Sequence, residues 1–296
     1  MHEFFENSIR LYHDIRHHFL CKRDKIRAAG RKFGKNAGTA NDLLFSRTRA
    51  IMRIRNIILP KSEKKQRYSE NGEHMKILFQ GDSITDGNRY KSRASEWDKN
   101  HQIGHSYVYI ITGLLGMQYP ERKFEFINRG ISGNIAGELA KRWEADALDI
   151  NPDVLSILIG VNDCIRVSTH AIKDFSAAAY ERNYREILRR SREKNPDLKI
   201  VLLEPFAYVE TQTVENSDPE IRRVILRSEQ KIVRRLAEEF NAIFVPLQEA
   251  FDEAKTLREP KYWIWDGTHP TEAGHALIAR EFLKATKDIF KVETEI

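Results

Sequence analysis

At 296 residues, with 41% hydrophobic and 31% charged positions, the chain has a globular composition and room for one large domain or two ordinary ones. No run approaches the roughly 18 uninterrupted apolar residues of a spanning helix, and only two cysteines, Cys21 and Cys164, exclude a disulfide framework. The net charge of +6 is unevenly placed, with 17 Lys and Arg against 8 Asp and Glu in residues 1–74 and 32 against 35 in residues 75–296. Binding to nucleic acid or an anionic surface would therefore belong to the first quarter alone.

The N-terminus mixes acids, histidines and arginines among its apolar residues and lacks the apolar core of a secretory signal. With the cysteine usage, this predicts a cytoplasmic location. A helix is expected over residues 3–27, broken by the glycines and small polar residues of 27–42. His13, His17 and His18 share one neighbourhood of that helix without a further ligand, so they read as solvated. In the next segment Leu44, Ile51, Ile54 and Ile58 fall on one helical face. Arg47 and Arg55 intrude on the same arc, which a membrane-surface helix would keep clear. Residues 61–74 read as a polar linker. Residues 1–74 are thus expected to be a basic extension, poorly ordered or loosely docked, with Met75 a candidate true start and residues 75–296 the catalytic domain.

From Met75 the pattern changes. Short continuous apolar runs at 76–80, 124–128, 153–160, 199–205 and 242–246 predict five buried strands. Helical stretches are expected between and after them, at about 104–118, 135–149, 174–194, 218–240 and 270–290. Alternating strands and helices, with strands apolar on both sides, predict an α/β fold: a three-layer α/β/α sandwich around a mainly parallel five-stranded sheet. In such a sheet ligands bind beyond the carboxyl ends of the strands, so the residues just after each run are the informative ones.

After the first run stands Gly81-Asp82-Ser83-Ile84-Thr85. A serine in a strand-to-helix turn lifts its hydroxyl over the sheet edge, beside free backbone N–H groups. Ile84, where a phosphate-transferring enzyme would carry a second Asp, argues against that chemistry. A dinucleotide G-x-G-x-x-G is absent, and Thr85 breaks the G-x-S-x-G elbow. After the second run, Gly130 and Gly133 both fit a glycine whose N–H faces a ligand. After the third, the Asn162 side chain can donate to a developing oxyanion. Near the C-terminus, Asp266 and His269 lie three apart, so one turn can bring a base and its orienting carboxylate to Ser83. His269 and His275, six apart, do not share a helical face and give no metal site. No metal or cofactor is expected.

Taken together, GDSIT, ISGN, GVND and DGTH, in this order over residues 75–290, resemble the four blocks of the SGNH hydrolases, or GDSL-type esterases. The resemblance implies a flavodoxin-like fold and a serine esterase acting through an acyl-enzyme. Ser83 would be the nucleophile, His269 the base and Asp266 its orienting partner. The oxyanion hole would comprise the N–H groups of Ser83 and Gly133 and the side chain of Asn162. The block match, rather than spacing, selects Gly133 over Gly130.

The similarity is greatest to bacterial carbohydrate esterases and acetylesterases, through Asn100–His105 and Trp263–Asp266. The loop 88–106 is polar and charged, unlike the mouth of a lipid-tail tunnel. Trp97, Trp263 and Trp265 are candidate sugar-stacking residues, and Arg89 and His101 candidate polar contacts. A short acyl ester of a polar, sugar-like alcohol is the expected substrate, with lysophospholipase or thioesterase activity the alternative. The non-enzyme alternative is anionic-surface or nucleic-acid binding by the basic extension.

Overall fold

The chain divides into two units, Met1–Ser69 and Glu70–Ile296. The computed structural model describes residues 74–91, 99–171 and 177–291, all within the second unit. The expectations for the extension, and the one for Trp97, fall outside the described residues.

In chain order the elements are β1 (His74–Gly81), α1 (Ser83–Asp86), α2 (Lys99–Ile103), α3 (Tyr107–Gln118), β2 (Lys123–Asn128), α4 (Ala136–Lys141), β3 (Val154–Leu158) and α5 (Val161–Ser168). There follow α6 (Ala177–Lys194), β4 (Lys199–Leu203), α7 (Pro219–Glu239), β5 (Ile243–Val245), α8 (Leu247–Ala254), α9 (Pro260–Trp263), α10 (Glu272–Ala285) and α11 (Lys287–Phe290). The five strands form one sheet in the order β2-β1-β3-β4-β5, every pair parallel. This is the flavodoxin-like order, and its direction reverses between β1 and β3, where the crevice beyond the strand ends is expected to bind ligands.

The alternation of side chains along each strand builds two cores. Ile77 and Phe79 of β1 point to one face with Val201 and Leu203, and are covered by α3, α8, α10 and α11. Leu78, Leu155, Ile157, Ile200 and Leu202 point to the other, against α4, α6 and α7. Phe79 meets Tyr107 edge-on at 6.1 Å and Phe282 at 5.6 Å. Such side chains contribute about 1.5–3 kcal/mol each when fully buried, so the first strand is pinned from both sides directly before Ser83.

The five expected strands are all present, and the helices differ mainly at their ends. Asp218 starts α7 by accepting the N–H groups of Glu220 (2.8 Å) and Ile221 (3.1 Å), with Pro219 at the first helical position. The expected helix at 270–290 is two: Thr286 Oγ1 donates to Phe282 O at 2.7 Å, competing with the helical ladder where α10 stops. The expected helix at 135–149 is α4 followed by a π-helical turn at Glu144–Leu148. Between them Trp143 is wholly buried, its Nε1 donating to Ser191 Oγ at 3.0 Å. The helices α2, α5, α8 and α9 were not expected, being only four to eight residues long. Among the described residues no helix is long and apolar enough to cross a membrane.

Candidate active site

Ser83 is the first residue of α1, at the end of β1. The turn is fixed by Asp82, whose Oδ1 accepts the Ile84 N–H at 3.0 Å and caps the short helix. Thr85 and Asp86 N–H groups bond the Asp82 carbonyl at 3.2 and 2.8 Å. The Ser83 N–H finds no partner among the described residues. Asp82 itself is wholly buried, and burial pushes its carboxyl up to about 7 against the pull of the Ile84 N–H and of His269.

Ser83 Oγ lies 2.9 Å from His269 Nε2, and His269 Nδ1 lies 2.7 Å from Asp266 Oδ2. A carboxylate can only accept, so Nδ1 carries the proton and Nε2 presents a lone pair to the serine hydroxyl. The other oxygen, Asp266 Oδ1, accepts the N–H groups of Thr268 (2.9 Å) and His269 (2.6 Å). Burial works to raise the Asp266 carboxyl, but the His269 ring, these two N–H groups and the His269 charge together hold it below its ordinary value. The hydrogen bond to Asp266 correspondingly raises His269 above 6.5. A buried, ionised carboxylate, an imidazole and a hydroxyl in one line can activate the hydroxyl as a nucleophile.

The structure also distinguishes the two glycines after β2. A side chain at Gly130 would begin 2.4 Å from the backbone nitrogen of Asp86, so this glycine allows α1 to pack against the loop. Gly133 has φ +79°, and a side chain there would meet nothing within 4 Å. Its N–H has no partner among the described residues. Asn162, in the first turn of α5, donates one Nδ2 hydrogen to Asn134 O at 3.1 Å and keeps the other. The neighbouring Asp163 accepts the Ala136 N–H at the start of α4, at 3.1 Å to Oδ2, and burial pushes its carboxyl up to about 7.

The remaining sequence expectations are placed less uniformly. Trp265 is 57% exposed and stacks on His269, with ring centroids 6.1 Å apart. Trp263 is partly buried and packs against the core, so its ring is not a free stacking surface. The Arg89 side chain is 7% exposed, its Nε donating to Gly130 O at 3.0 Å with Asp86 beside it. The guanidinium expected at the substrate is thus an internal anchor of the site's loops. His101 lies exposed on α2, its carbonyl accepting the Tyr90 N–H at 2.6 Å. His275, half-buried on α10, accepts the Tyr107 N–H at 3.2 Å, and its desolvation lowers it to about 4. Among the described residues no three His, Cys, Asp or Glu are placed to hold a metal ion.

Sequence reading missed the side chains that hold the site. Asp86 Oδ2 accepts the Ser132 N–H at 3.0 Å, and Arg142 Nε donates to Asn134 Oδ1 at 2.8 Å. Arg222 is wholly buried and donates to Thr268 Oγ1 and Gln212 Oε1 behind the Asp266 turn. Each residue type is unremarkable at its position, so no signal in the sequence alone marked them.

A parallel sheet with this serine, histidine and carboxylate beyond its strand ends defines a hydrolase of the serine type. Comparison with known proteins places it further: the profile of the GDSL-like lipase/acylhydrolase family matches residues 79–277, and the chain belongs to that family. It is 36% identical over 217 residues to an acetylxylan esterase of Geobacillus stearothermophilus, covering 72% of this chain and 94% of that one. A solved structure of an acetylxylan esterase from the same organism has TM-score 0.62 and 33% identity, covering 76% of this chain and 98% of that one. A GDSL-like lipase structure from Parabacteroides merdae has TM-score 0.66 and 40% identity, covering 72% and 96%.

Proposed function

We propose that Ser83 attacks the carbonyl of an acetyl ester on a sugar hydroxyl, with His269 as base and Asp266 as its orienting partner. The observation that carries this is the unbroken chain from Ser83 Oγ through His269 to Asp266, at 2.9 and 2.7 Å. As Oγ bonds the carbonyl carbon, its proton passes to His269 Nε2, and the resulting imidazolium is stabilised by the ionised Asp266. The negative charge gathers on the former carbonyl oxygen. There the Ser83 and Gly133 N–H groups and the free Nδ2 hydrogen of Asn162 are the donors that receive it. The imidazolium returns its proton to the departing sugar oxygen, leaving an acetyl-serine. Water then attacks with the same base, releasing acetate and restoring Ser83.

The carbohydrate part of the reading rests on the acetylxylan esterase relative and on Trp265, an exposed ring beside His269 on which a pyranose face can stack. Among the solved acetylxylan esterase structures from Geobacillus stearothermophilus, two variants described as catalytic mutants replace a serine and an aspartate by alanine. We assign catalysis to residues 75–296 and expect that fragment to hydrolyse small esters as the full chain does.

The test is a panel of acetylated xylose, acetylated xylo-oligosaccharides and p-nitrophenyl esters of two to sixteen carbons. Highest kcat/KM for the acetylated sugars, falling with acyl length, supports the reading. A preference for long acyl chains or thioesters overturns its substrate part.

A further inference from the structure

The loop from Gly130 to Ile135 is irregular, yet almost every polar group of its backbone is tied down. The N–H of Gly130 goes to Asn128 Oδ1 (2.9 Å), of Ile131 to Gly81 O (3.0 Å) and of Ser132 to Asp86 Oδ2 (3.0 Å). That of Asn134 goes to Ile131 O (3.1 Å) and that of Ile135 to Glu138 Oε2 (3.1 Å). The carbonyl of Gly130 accepts from Arg89, and that of Asn134 from Asn162. Among the described residues one N–H is left over, that of Gly133, and it is the one the proposed chemistry needs.

The carbonyl of Gly133 is held by Arg166. Its Nη2 donates to Gly133 O at 2.7 Å and to Glu138 Oε2 at 3.0 Å, while Nη1 donates to Glu138 Oε1 at 2.9 Å. This is a planar fork on a carboxylate, with one arm shared by the peptide oxygen. Arg166 stands four residues after Asn162 on α5, so both side chains leave the same face of the helix. One helix therefore supplies the oxyanion-facing amide and the cation that fixes the glycine peptide opposite it. Hydrogen bonding from Arg166 holds the Glu138 carboxyl below its ordinary value, so the pair stays ionised where an esterase with a histidine base works.

We infer that Arg166, seated by Glu138, is a positioning residue of the oxyanion hole: it fixes the peptide that follows Gly133 and so keeps the Gly133 N–H aimed at the reacting oxygen. The inference rests on the assignment of Ser83 and Gly133 above. Gly133 has no side chain and a positive φ, so nothing within the residue resists rotation of its two peptides. A misplacement near 1 Å costs on the order of 10²-fold in rate. By contrast the ion pair is about one-third exposed on both sides, and such pairs contribute little to stability. Loss of Arg166 should therefore be felt in the rate and hardly in the melting temperature.

The experiment compares Arg166→Met, Arg166→Lys and Glu138→Gln in the full chain, with Ser83→Ala beside them, on p-nitrophenyl acetate and acetylated xylose. Arg166→Met is expected to lower kcat by about 10–100-fold, with KM within about twofold and Tm nearly unchanged. Its inactivation by a fluorophosphonate, whose phosphoryl oxygen takes the place of the reacting carbonyl oxygen, should slow as well. Arg166→Lys, which keeps the charge but not the fork, should lie between it and the parent even if the Met variant folds poorly. Glu138→Gln, which keeps an acceptor for the Ile135 N–H, should show the smallest loss. A raised KM with unchanged kcat would make Arg166 a substrate contact, and unchanged kinetics would make it a surface ion pair; either overturns the inference. If Ser83→Ala is inactive in the same series, such a failure belongs to Arg166 alone. If Ser83→Ala is active, the underlying assignment fails first.

Discussion

The turn that carries His269 is closed mostly by its own residues, whereas the loop that carries Gly133 is held by side chains from distant parts of the chain. Asp266 bonds the His269 ring and backbone from three positions away, and Trp265 N–H closes the turn on His269 O at 3.1 Å. The glycine loop depends on Asp86, 46 positions away, Arg166, 33 away, and Asn162, 28 away. A base and its carboxylate must touch, and three residues in one turn suffice to bring them together. An oxyanion donor must remain unbonded while its neighbours are fixed, and that requires partners the loop cannot contain.

The largest effect is expected where the local turn is broken chemically without being opened. Asp266→Asn keeps an oxygen for the Thr268 and His269 N–H groups but offers an N–H to His269 Nδ1. The wrong tautomer should lower kcat by about 10⁴-fold with Tm little changed, measured by steady-state kinetics and calorimetry. The distant loop should respond next: Asn162→Ala is expected to cost about 10²–10³-fold in kcat with KM nearly constant. A loss of only a few-fold would reduce Asn162 to an anchor of Asn134.

A third expectation concerns pH. The hydrogen bond to Asp266 raises His269 above 6.5, and only the neutral imidazole accepts the serine proton. As pH falls through that raised value, kcat/KM should fall about tenfold per unit. In Asp266→Asn, with the cause of the rise removed, the midpoint of the residual activity should move down. A midpoint that stays in place would detach Asp266 from the base.

The smallest effects separate the two glycines. Gly130→Ala sets a methyl 2.4 Å from the Asp86 backbone nitrogen, an overlap that costs about 1–3 kcal/mol. Gly133→Ala meets no atom but must hold φ near +79°, which costs roughly 1–2 kcal/mol. Thermal melts should show Gly130→Ala as the less stable of the two.

These contrasts also explain what the sequence made legible. Strands buried on both faces write themselves as apolar runs, and residues 76–80 and 199–203 could be read directly. Asp266 and His269 were visible because their interaction is local. Asn162 was visible by its place after a strand, but α5, which carries it, was too short for helical periodicity to mark. Arg166, Glu138 and Arg142 left no trace, since an arginine on a helix is ordinarily a solvated residue and its partner lies on another element. In sequence Arg89 reads as a substrate contact because its neighbours are polar; only the fold shows Gly130 O and Asp86 beside it.

The central claim, that Ser83 is made nucleophilic by the His269–Asp266 pair, is tested most directly by trapping the acyl-enzyme position. The protein is incubated with a fluorophosphonate at neutral pH, digested, and the adduct mapped by mass spectrometry, alongside Ser83→Ala and Asp266→Asn. The account predicts one adduct per chain on Ser83, none in Ser83→Ala, and much slower formation in Asp266→Asn. An adduct on another residue, or labelling of Ser83→Ala at the parent rate, would contradict it.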